Sequence, residues 1–266
     1  MNANLDYIGQ ELDYFQHATR WKKYWTEEIS KIIPEIFGLV EIGSGIGSNS
    51  PFFKSISGEY LGIEPDKSLV SKACQIYPRF NFLQGDVKLL GTIEFAFNCV
   101  AYIDVLEHIE FDLNELTEVT QSLKDQDFLI LLVPAHNILF SDFDKSVGHF
   151  RRYEKSDFLS LNIDNLKLLN IKELDSIGYV LSRLSKLFFN SFKLNLWQVK
   201  LWDFLIPISR KIDFLIGNRI GKSILVVYKK NKISVRTQLI YIRQFRILVI
   251  MESINLENLT NPGIAR

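Results

Sequence analysis

The chain has 266 residues, of which 47% are hydrophobic and 23% are charged, so it can bury a full core and is not a disordered chain. This length predicts one large domain or one domain with an elaborated end. The net charge is zero, but residues 181–246 carry 14 Lys and Arg against only Asp203 and Asp213. Such asymmetry indicates either an anionic partner or a basic face that docks on an acidic one.

The first residues contain acids and no apolar core stretch, so we do not expect a signal peptide. No apolar run approaches the roughly 18 residues of a transmembrane helix. Cys74 and Cys99 form no CxxC pair and fall in apolar strings, which favours buried free thiols in a reducing compartment. We therefore expect a cytoplasmic protein, with peripheral contact to the inner face of a membrane left open.

Short apolar runs alternate with helical patterns through the first 180 residues. Strands are predicted at 39–42, 60–63, 80–83, 95–101 and 128–133. Apolar residues at helical spacing over 69–77, after the cap Asp66, and over 113–123 predict helices between them. Nearly continuous apolar strands are typical of a parallel sheet covered on both faces. The alternation predicts an α/β fold with an open, doubly wound sheet.

The pattern changes beyond residue 175. Residues 179–216 are rich in Leu, Phe, Ile and Trp, and Pro207 is expected to break a helix there. Residues 223–228 predict a final strand. We expect a domain over 1–232, with its core at about 36–175 and a C-terminal elaboration and last strand over 176–232. Residues 233–266 form a C-terminal extension of unknown role.

A glycine turn follows the first predicted strand, in the stretch LVEIGSGIGSNS. Gly43, Gly45 and Gly47 allow tight turning and close approach to a ligand, and a following helix N-terminus favours an anionic group. The dinucleotide-binding fingerprint of dehydrogenases is G-x-G-x-x-G. Here the spacing is G-x-G-x-G, and Ser48 occupies the third glycine position.

This turn resembles motif I of the class I S-adenosylmethionine (SAM)-dependent methyltransferases. The resemblance implies a Rossmann-like, mostly parallel seven-stranded sheet with helices on both faces, and SAM as cofactor. It also implies that Glu64 binds the ribose hydroxyls and that Asp86 contacts the adenine amino group. The cofactor contacts that it implies are Glu41, Gly43, Ser44, Gly45, Gly47, Glu64, Pro65, Asp86, Val87, Asp104 and Val105.

Two further stretches extend the resemblance to about residues 13–230. HATRWKKYW is similar to the N-terminal helix that caps the cofactor in many relatives. GHFRRY, after the fifth predicted strand, resembles the Gly-His-Tyr-Arg-Arg-Tyr signature of a methyltransferase subgroup, with Phe150 in place of the first tyrosine.

Four residues are the candidates for catalysis. His108 and His149 are the best bases because imidazole titrates near neutrality. Arg151 and Tyr153 lie beside His149 in GHFRRY, and arginine forks suit carboxylate or phosphate. The alternative is structural: His108 ties down its loop, and GHFRRY forms a salt-bridged lid with acids such as Asp142 and Asp144. His17 and His136 are expected to be structural.

The spacing of Asp104, Glu107 and His108 is similar to a divalent-cation site in ubiquinone-type O-methyltransferases. Two carboxylates and an imidazole could hold Mg²⁺ or Mn²⁺. Many relatives carry a similar Glu-His pair without metal, so no metal is predicted.

We therefore expect a SAM-dependent methyltransferase that acts, at oxygen, on a small-molecule, glycan-related or lipid-linked acceptor. The alternatives are an N-methyltransferase and a non-catalytic SAM-fold assembly partner. A nucleic-acid enzyme is disfavoured because no N-P-P-Y or D-P-P-Y sequence follows the fourth strand, and a dehydrogenase is least favoured. The oligomeric state is not predicted.

The basic segment 181–246 also predicts contact with an anionic membrane or lipid-linked acceptor. The apolar face expected beside Lys186, Lys193 and Lys200 comprises Phe188, Phe189, Phe192, Leu194, Trp197, Leu201, Trp202 and Leu205. That combination suits an interfacial helix. In the alternative, the same aromatic residues pack on the sheet.

Overall fold

The computed structural model describes residues 11–161, 163, 165–188 and 195–232. Its strands are β1 Ile36–Ile42, β2 Ser57–Glu64, β3 Asn81–Gln84, β4 Cys99–Ile103, β5 Phe128–Pro134, β6 Leu166–Leu174 and β7 Ser223–Lys230. Its α-helices are α1 Glu11–Phe15, α2 Thr19–Ser30, α3 Ser50–Lys54, α4 Lys67–Ile76, α5 Asp112–Ser122, α6 Asp142–Ser146, α7 Lys155–Leu159, α8 Ser176–Phe188 and α9 Leu196–Leu215. The extension 233–266 lies outside the described residues, as do Phe189, Phe192, Leu194 and the Phe188 side chain of the expected apolar face and the neighbouring Lys193.

The seven strands form one sheet in the order β3-β2-β1-β4-β5-β7-β6. Strands β1 to β5 pair in parallel, whereas β7 runs antiparallel between β5 and β6. The chain order reverses between β1 and β4, which is where open α/β sheets bind ligands. The predicted doubly wound, mostly parallel seven-stranded sheet is confirmed.

The core consists of two apolar layers, one on each face of the sheet. One layer packs α2 and α9 against the sheet through side chains such as Trp25 and Ile206. The other packs α5 through Leu116 and Val119. All seven residues of β5 are buried, which explains why this strand has the strongest apolar run in the sequence.

Three local expectations were wrong. Strand β4 begins at Cys99 instead of residue 95. Residues 95–98 belong to the preceding loop, in which the Asn98 amide oxygen accepts the backbone N–H of Phe37 at 3.1 Å. Helix α9 continues through Pro207, whose ring lies on the exposed side, where water can solvate the carbonyl that loses its partner. Cys74 is exposed and only Cys99 is buried.

Strand β6 was not predicted as a separate element. Its residues are mostly half-buried and its apolar positions are interrupted by Lys167, Asn170 and Lys172, so it lacks the continuous apolar run of a central strand. No helix among the described residues is long and apolar enough to cross a bilayer.

Candidate cofactor and acceptor site

Four sequence-predicted segments meet at one edge of the sheet. The glycine turn follows β1, Glu64 is the last residue of β2, Asp86 comes two residues after β3, and Asp104 directly follows β4. These strands are neighbours in the order β3-β2-β1-β4, so their carboxyl ends lie side by side. The structure therefore brings the predicted cofactor residues together.

The glycine turn has a left-handed backbone at all three glycines, with φ of 71° at Gly43, 53° at Gly45 and 76° at Gly47. A Cβ at Gly43 would lie 2.6 Å from Val105, and one at Gly47 would lie 2.5 Å from Phe82. At Gly45 the nearest atom would be a Leu12 methyl at 3.4 Å. Packing thus excludes a side chain at Gly43 and Gly47, whereas Leu12 of α1 alone among the described residues approaches the space that Gly45 faces.

Glu64 is buried and holds the turn in place. One carboxylate oxygen accepts the Gly45 N–H at 2.8 Å, and the other accepts the Asp66 N–H at 3.0 Å. Burial raises the pKa of Glu64, and these two backbone N–H groups partly offset the rise. A carboxylate has about four acceptor sites, so two remain for a ligand.

The other cofactor candidates line the same edge. Asp86 and Pro65 are exposed, whereas Val87 is buried. One Asp86 oxygen accepts the Lys88 N–H at 3.0 Å and leaves the rest of the carboxylate open. Ser44 is buried with its hydroxyl unpaired within the described residues.

Glu41 lies beneath the turn instead of at its surface. Its side chain is fully buried and accepts hydrogen bonds from Asn49 and Tyr60. Burial raises its pKa to about 7. Lys22 of α2 lies nearby, and its ammonium donates to the Ser48 hydroxyl. Burial lowers the pKa of Lys22 to about 8, with Glu41 and Asp104 opposing the shift.

Asp104 has a left-handed backbone, with φ of 53°, a conformation that is uncommon outside glycine and that Asp and Asn tolerate best among the other residues. Its N–H donates to the Leu132 carbonyl at 2.8 Å, which fixes the turn after β4. Asp104 is exposed, yet surrounding protein desolvates it and raises its pKa to about 6. His149 and Lys222 partly offset this rise.

His108 and His149 come together although 40 residues separate them. Their rings are perpendicular, with centroids 4.6 Å apart. His149 Nδ1 lies 3.0 Å from Asp144, and its Nε2 lies 3.8 Å from Glu107. Burial and the neighbouring His149 lower the pKa of His108 to about 4. The loop that carries His149 is closed at its base by backbone hydrogen bonds between His136 and Tyr153 and between Tyr153 and Pro134.

Arg151 and Tyr153 point to a different place. Arg151 pairs with Asp112 at 2.7 Å, and the Tyr153 hydroxyl donates to Asp112 at 2.8 Å. Both residues line a cavity of about 290 Å³ that also involves Leu113 and Phe158. The Asp112 pairing gives each a structural role, and their catalytic assignment stays a prediction.

The residues weighed in the sequence as a cation site, Asp104, Glu107 and His108, are not the set that comes together in the structure. The described residues whose ligand atoms lie within 4.8 Å of one another are Glu107, His108 and His149. His149 thus takes the place of Asp104. His136 lies between Glu154 and Glu173, at 3.3 and 2.9 Å, in keeping with a structural role.

Sequence reasoning missed Lys22 and Lys222, whereas Arg152 forms the Asp144 salt bridge expected in the structural alternative for GHFRRY. Arg152 is buried and its Nε donates to Asp144 at 2.8 Å. Lys222 places its ammonium 5.1 Å from the centre of the Trp202 ring, and burial lowers its pKa. Of the two missed lysines, Lys22 had a sequence signal, because it lies on the apolar face of α2 one turn before Trp25.

A comparison with protein-family models matches residues 40–131 to a methyltransferase domain. A search of curated proteins finds no matching sequence.

Solved structures share the fold at low sequence identity. The first is a chain of the complex between the Haloferax volcanii Trm112 methyltransferase activator and a methyltransferase, with 13% identity, coverage of 84% of this chain and 93% of that chain, and a TM-score of 0.53. The second is the N-methyltransferase NodS of Bradyrhizobium japonicum with S-adenosylhomocysteine (SAH), with 11% identity, coverage of 81% and 88%, and a TM-score of 0.51. The third is phosphoethanolamine N-methyltransferase 2 of Haemonchus contortus, with 14% identity, coverage of 87% and 61%, and a TM-score of 0.54.

Proposed function

We propose that this protein, a SAM-dependent methyltransferase of the class I fold with SAM as its cofactor, methylates an oxygen of a small-molecule, glycan-related or lipid-linked acceptor. The observation that carries the proposal is the cluster of two imidazoles and two carboxylates beside Asp104, next to the cofactor edge of the sheet. Bound SAM supplies an electrophilic methyl group on its sulfonium.

The cofactor residues fit SAM in three respects. The backbone at Gly45 allows close approach, since no atom lies nearer than 3.4 Å to a Cβ built there. Glu64 keeps acceptor capacity for two ribose hydroxyls after binding the Gly45 and Asp66 N–H groups. The Lys22 ammonium at the turn suits an anionic group such as the carboxylate of the methionine part. We assign adenine contact to Asp86 with Val87 and Pro65.

The acceptor would bind between Asp104 and the loop Ala135–Tyr153. His149 serves there as the base or orienting group, because Asp144 fixes its Nδ1 and its Nε2 faces the cluster. The enzyme has little covalent chemistry to perform, so alignment of the nucleophile and removal of its proton supply the rate enhancement.

We further place the protein in the subgroup with a Gly-His-Tyr-Arg-Arg-Tyr signature. In support, three GHFRRY residues each contact an acid: His149 and Arg152 share Asp144, whereas Arg151 binds Asp112.

N-methylation is the second candidate, because two of the solved structures with this fold are named as N-methyltransferases. In the discriminating experiment, the purified protein and SAM with an isotopically labelled methyl group are incubated with metabolite and lipid fractions from a strain that lacks the gene. We expect an acceptor that is lighter by one methyl in that strain and gains the label at oxygen. Label at nitrogen supports the second candidate, and incorporation into protein or nucleic acid alone contradicts the proposal.

A further inference from the structure

Glu107 is a buried carboxylate without a hydrogen-bond partner. The residue is 0% exposed, and neither of its side-chain oxygens has a hydrogen-bond partner in the described part of the chain. Arg152, the nearby guanidinium, is committed to Asp144. A buried carboxylate is normally hydrogen-bonded, ion-paired or bound to a metal, and within the described residues the nearest cationic group is the His149 imidazole, at 3.8 Å.

Two imidazoles face this carboxylate. One potential ligand atom each from Glu107, His108 and His149 lies within 4.8 Å of the other two. The ligand atoms of a tetrahedral Zn²⁺ lie roughly 3.3 Å apart when bonds are about 2.0–2.1 Å long. Rotations that move these side chains by about 1.5 Å would therefore complete a coordination set.

The surroundings prepare both imidazoles for ligation. The contact of His149 Nδ1 with Asp144 at 3.0 Å places its proton there and leaves the Nε2 lone pair towards Glu107. Asp144 is fixed in turn by Arg152 and Ser141. Such a carboxylate behind the ring is the usual outer support of a metal-binding histidine. The His108 ring packs at right angles to the His149 ring, with centroids 4.6 Å apart, and this contact holds both imidazoles beside Glu107.

We propose that Glu107, His108 and His149 bind one divalent transition-metal ion, with Zn²⁺ as the preferred class. One carboxylate and two imidazoles form a known ligand set of catalytic zinc, which keeps an open position for water or substrate. His108 and His149 are partly exposed, so the open coordination position would face the proposed acceptor region. The ion would lower the pKa of an acceptor hydroxyl bound there, and His149 would then act as an orienting ligand instead of the base.

The acceptor part of this inference depends on the proposed function, but ion binding can be tested without it. The full chain is freed of metal and titrated with Zn²⁺ by calorimetry and with Co²⁺ by visible absorption. We expect one ion per chain, with the Co²⁺ bands of a low-coordinate nitrogen and oxygen site. Glu107→Gln and His149→Ala should each weaken binding at least tenfold, and Asp144→Asn should weaken it about 10–100-fold.

His17→Ala is the matched control because His17 is an exposed imidazole outside the cluster, and it should bind the ion like the wild type. Affinity for SAH, measured on the same samples, shows that the variants are folded and separates this inference from the proposed function. Wild-type protein that shows no Co²⁺ bands overturns the metal site, even if it binds SAH. Stoichiometric binding that survives Glu107→Gln also overturns it.

Discussion

Glu64 connects the sequence motif to the structure at the scale of one residue. Its carboxylate both positions the Gly45 N–H at 2.8 Å and keeps capacity for a ligand. Glu64→Ala removes charge-assisted hydrogen bonds of about 1.5–3 kcal/mol, so SAH affinity should fall roughly tenfold or more. Isothermal titration calorimetry measures this loss.

Gly45→Val should abolish SAH binding, because it places a side chain in the space above the turn, and φ of 53° is strained for a β-branched residue. Gly91→Ala is the control, since no atom of the described residues lies within 4 Å of a Cβ built there. Unchanged SAH affinity in both Glu64→Ala and Gly45→Val would refute the assignment of the cofactor site.

His149 is expected to act on the acceptor and not on the cofactor. His149→Ala should lower kcat strongly while SAH affinity stays within a few fold, because the ring contacts Asp144 and Glu107 and makes no contact with the glycine turn. Arg151→Ala serves as a comparison. If it lowers stability but not kcat, its Asp112 pairing is structural. Loss of SAH binding in His149→Ala would show that the loop has a structural role instead.

The hydrogen-bonded imidazole of His136 should make the stability of the fold depend on pH. Its hydrogen bond to buried Glu173 raises the pKa of the imidazole above its usual value. The stabilisation is therefore complete below the unfolded pKa of about 6.5 and is lost as the pH rises through the higher folded pKa. His136→Gln should lower Tm more at pH 6 than at pH 9, by about 2–4 °C for each kcal/mol lost. Thermal denaturation at the two pH values tests this, and an equal loss at both would contradict it.

At the scale of one element, α9 presents an apolar stripe to solvent. Trp197, Leu201, Phe204 and Ile208 are each at least half exposed and recur at intervals of four, three and four residues. Such a stripe is unusual on a surface unless it contacts a partner or a membrane. Of the expected apolar face, Trp202 instead turns inward and donates to Asp175 at 2.7 Å.

The exposed charged residues of α9 are the cations Lys200 and Lys211. Both acids of α9, Asp203 and Asp213, are buried and accept hydrogen bonds from the Trp21 N–H and the Tyr24 hydroxyl, respectively. The Arg20 guanidinium lies 5.1 Å from the centre of the Phe204 ring. An apolar face flanked by cations and free of exposed α9 carboxylates suits an anionic lipid surface.

We therefore predict that the protein sediments with anionic liposomes at low salt. Binding should rise with the anionic lipid fraction, at about 1 kcal/mol for each Lys or Arg near the surface, and fall steeply with salt. Phe204→Asp should weaken it, whereas Phe111→Asp, at an equally exposed position before α5, should not. If the protein does not sediment with anionic liposomes at low salt, the prediction is wrong and the stripe is only a solvent-exposed part of the fold.

At the scale of the whole molecule, the uneven charge has a partial internal explanation. Arg210, from the basic segment, pairs with Glu27 and Glu28 of α2 in the acidic part. The ammonium of Lys222 lies close enough to Asp175 and Asp104 for their charges to affect its pKa. The basic segment thus docks in part on the acidic one, while its exposed face remains available for an anionic partner.

The sequence by itself determined the features that depend on local physics. Continuous apolar runs predicted the buried parallel strands, and the glycine spacing predicted a tight turn. Asp66 was identified as a cap, and the structure shows it accepting the Ser68 and Leu69 N–H groups. Such features depend on backbone conformation and on burial within a few residues, and residue type encodes both.

Only the tertiary structure decided which distant side chains meet. The ring contact of His108 with His149, the hydrogen bond of Lys22 to Ser48 and the inward face of Trp202 all depend on strand order and on how α2 and α9 cover the sheet. Periodicity shows that a side chain is buried but does not show what it contacts, because the contact depends on crossovers that join separate segments. For this reason the acids and glycines of the cofactor edge were predictable, whereas the cluster around Glu107 was not.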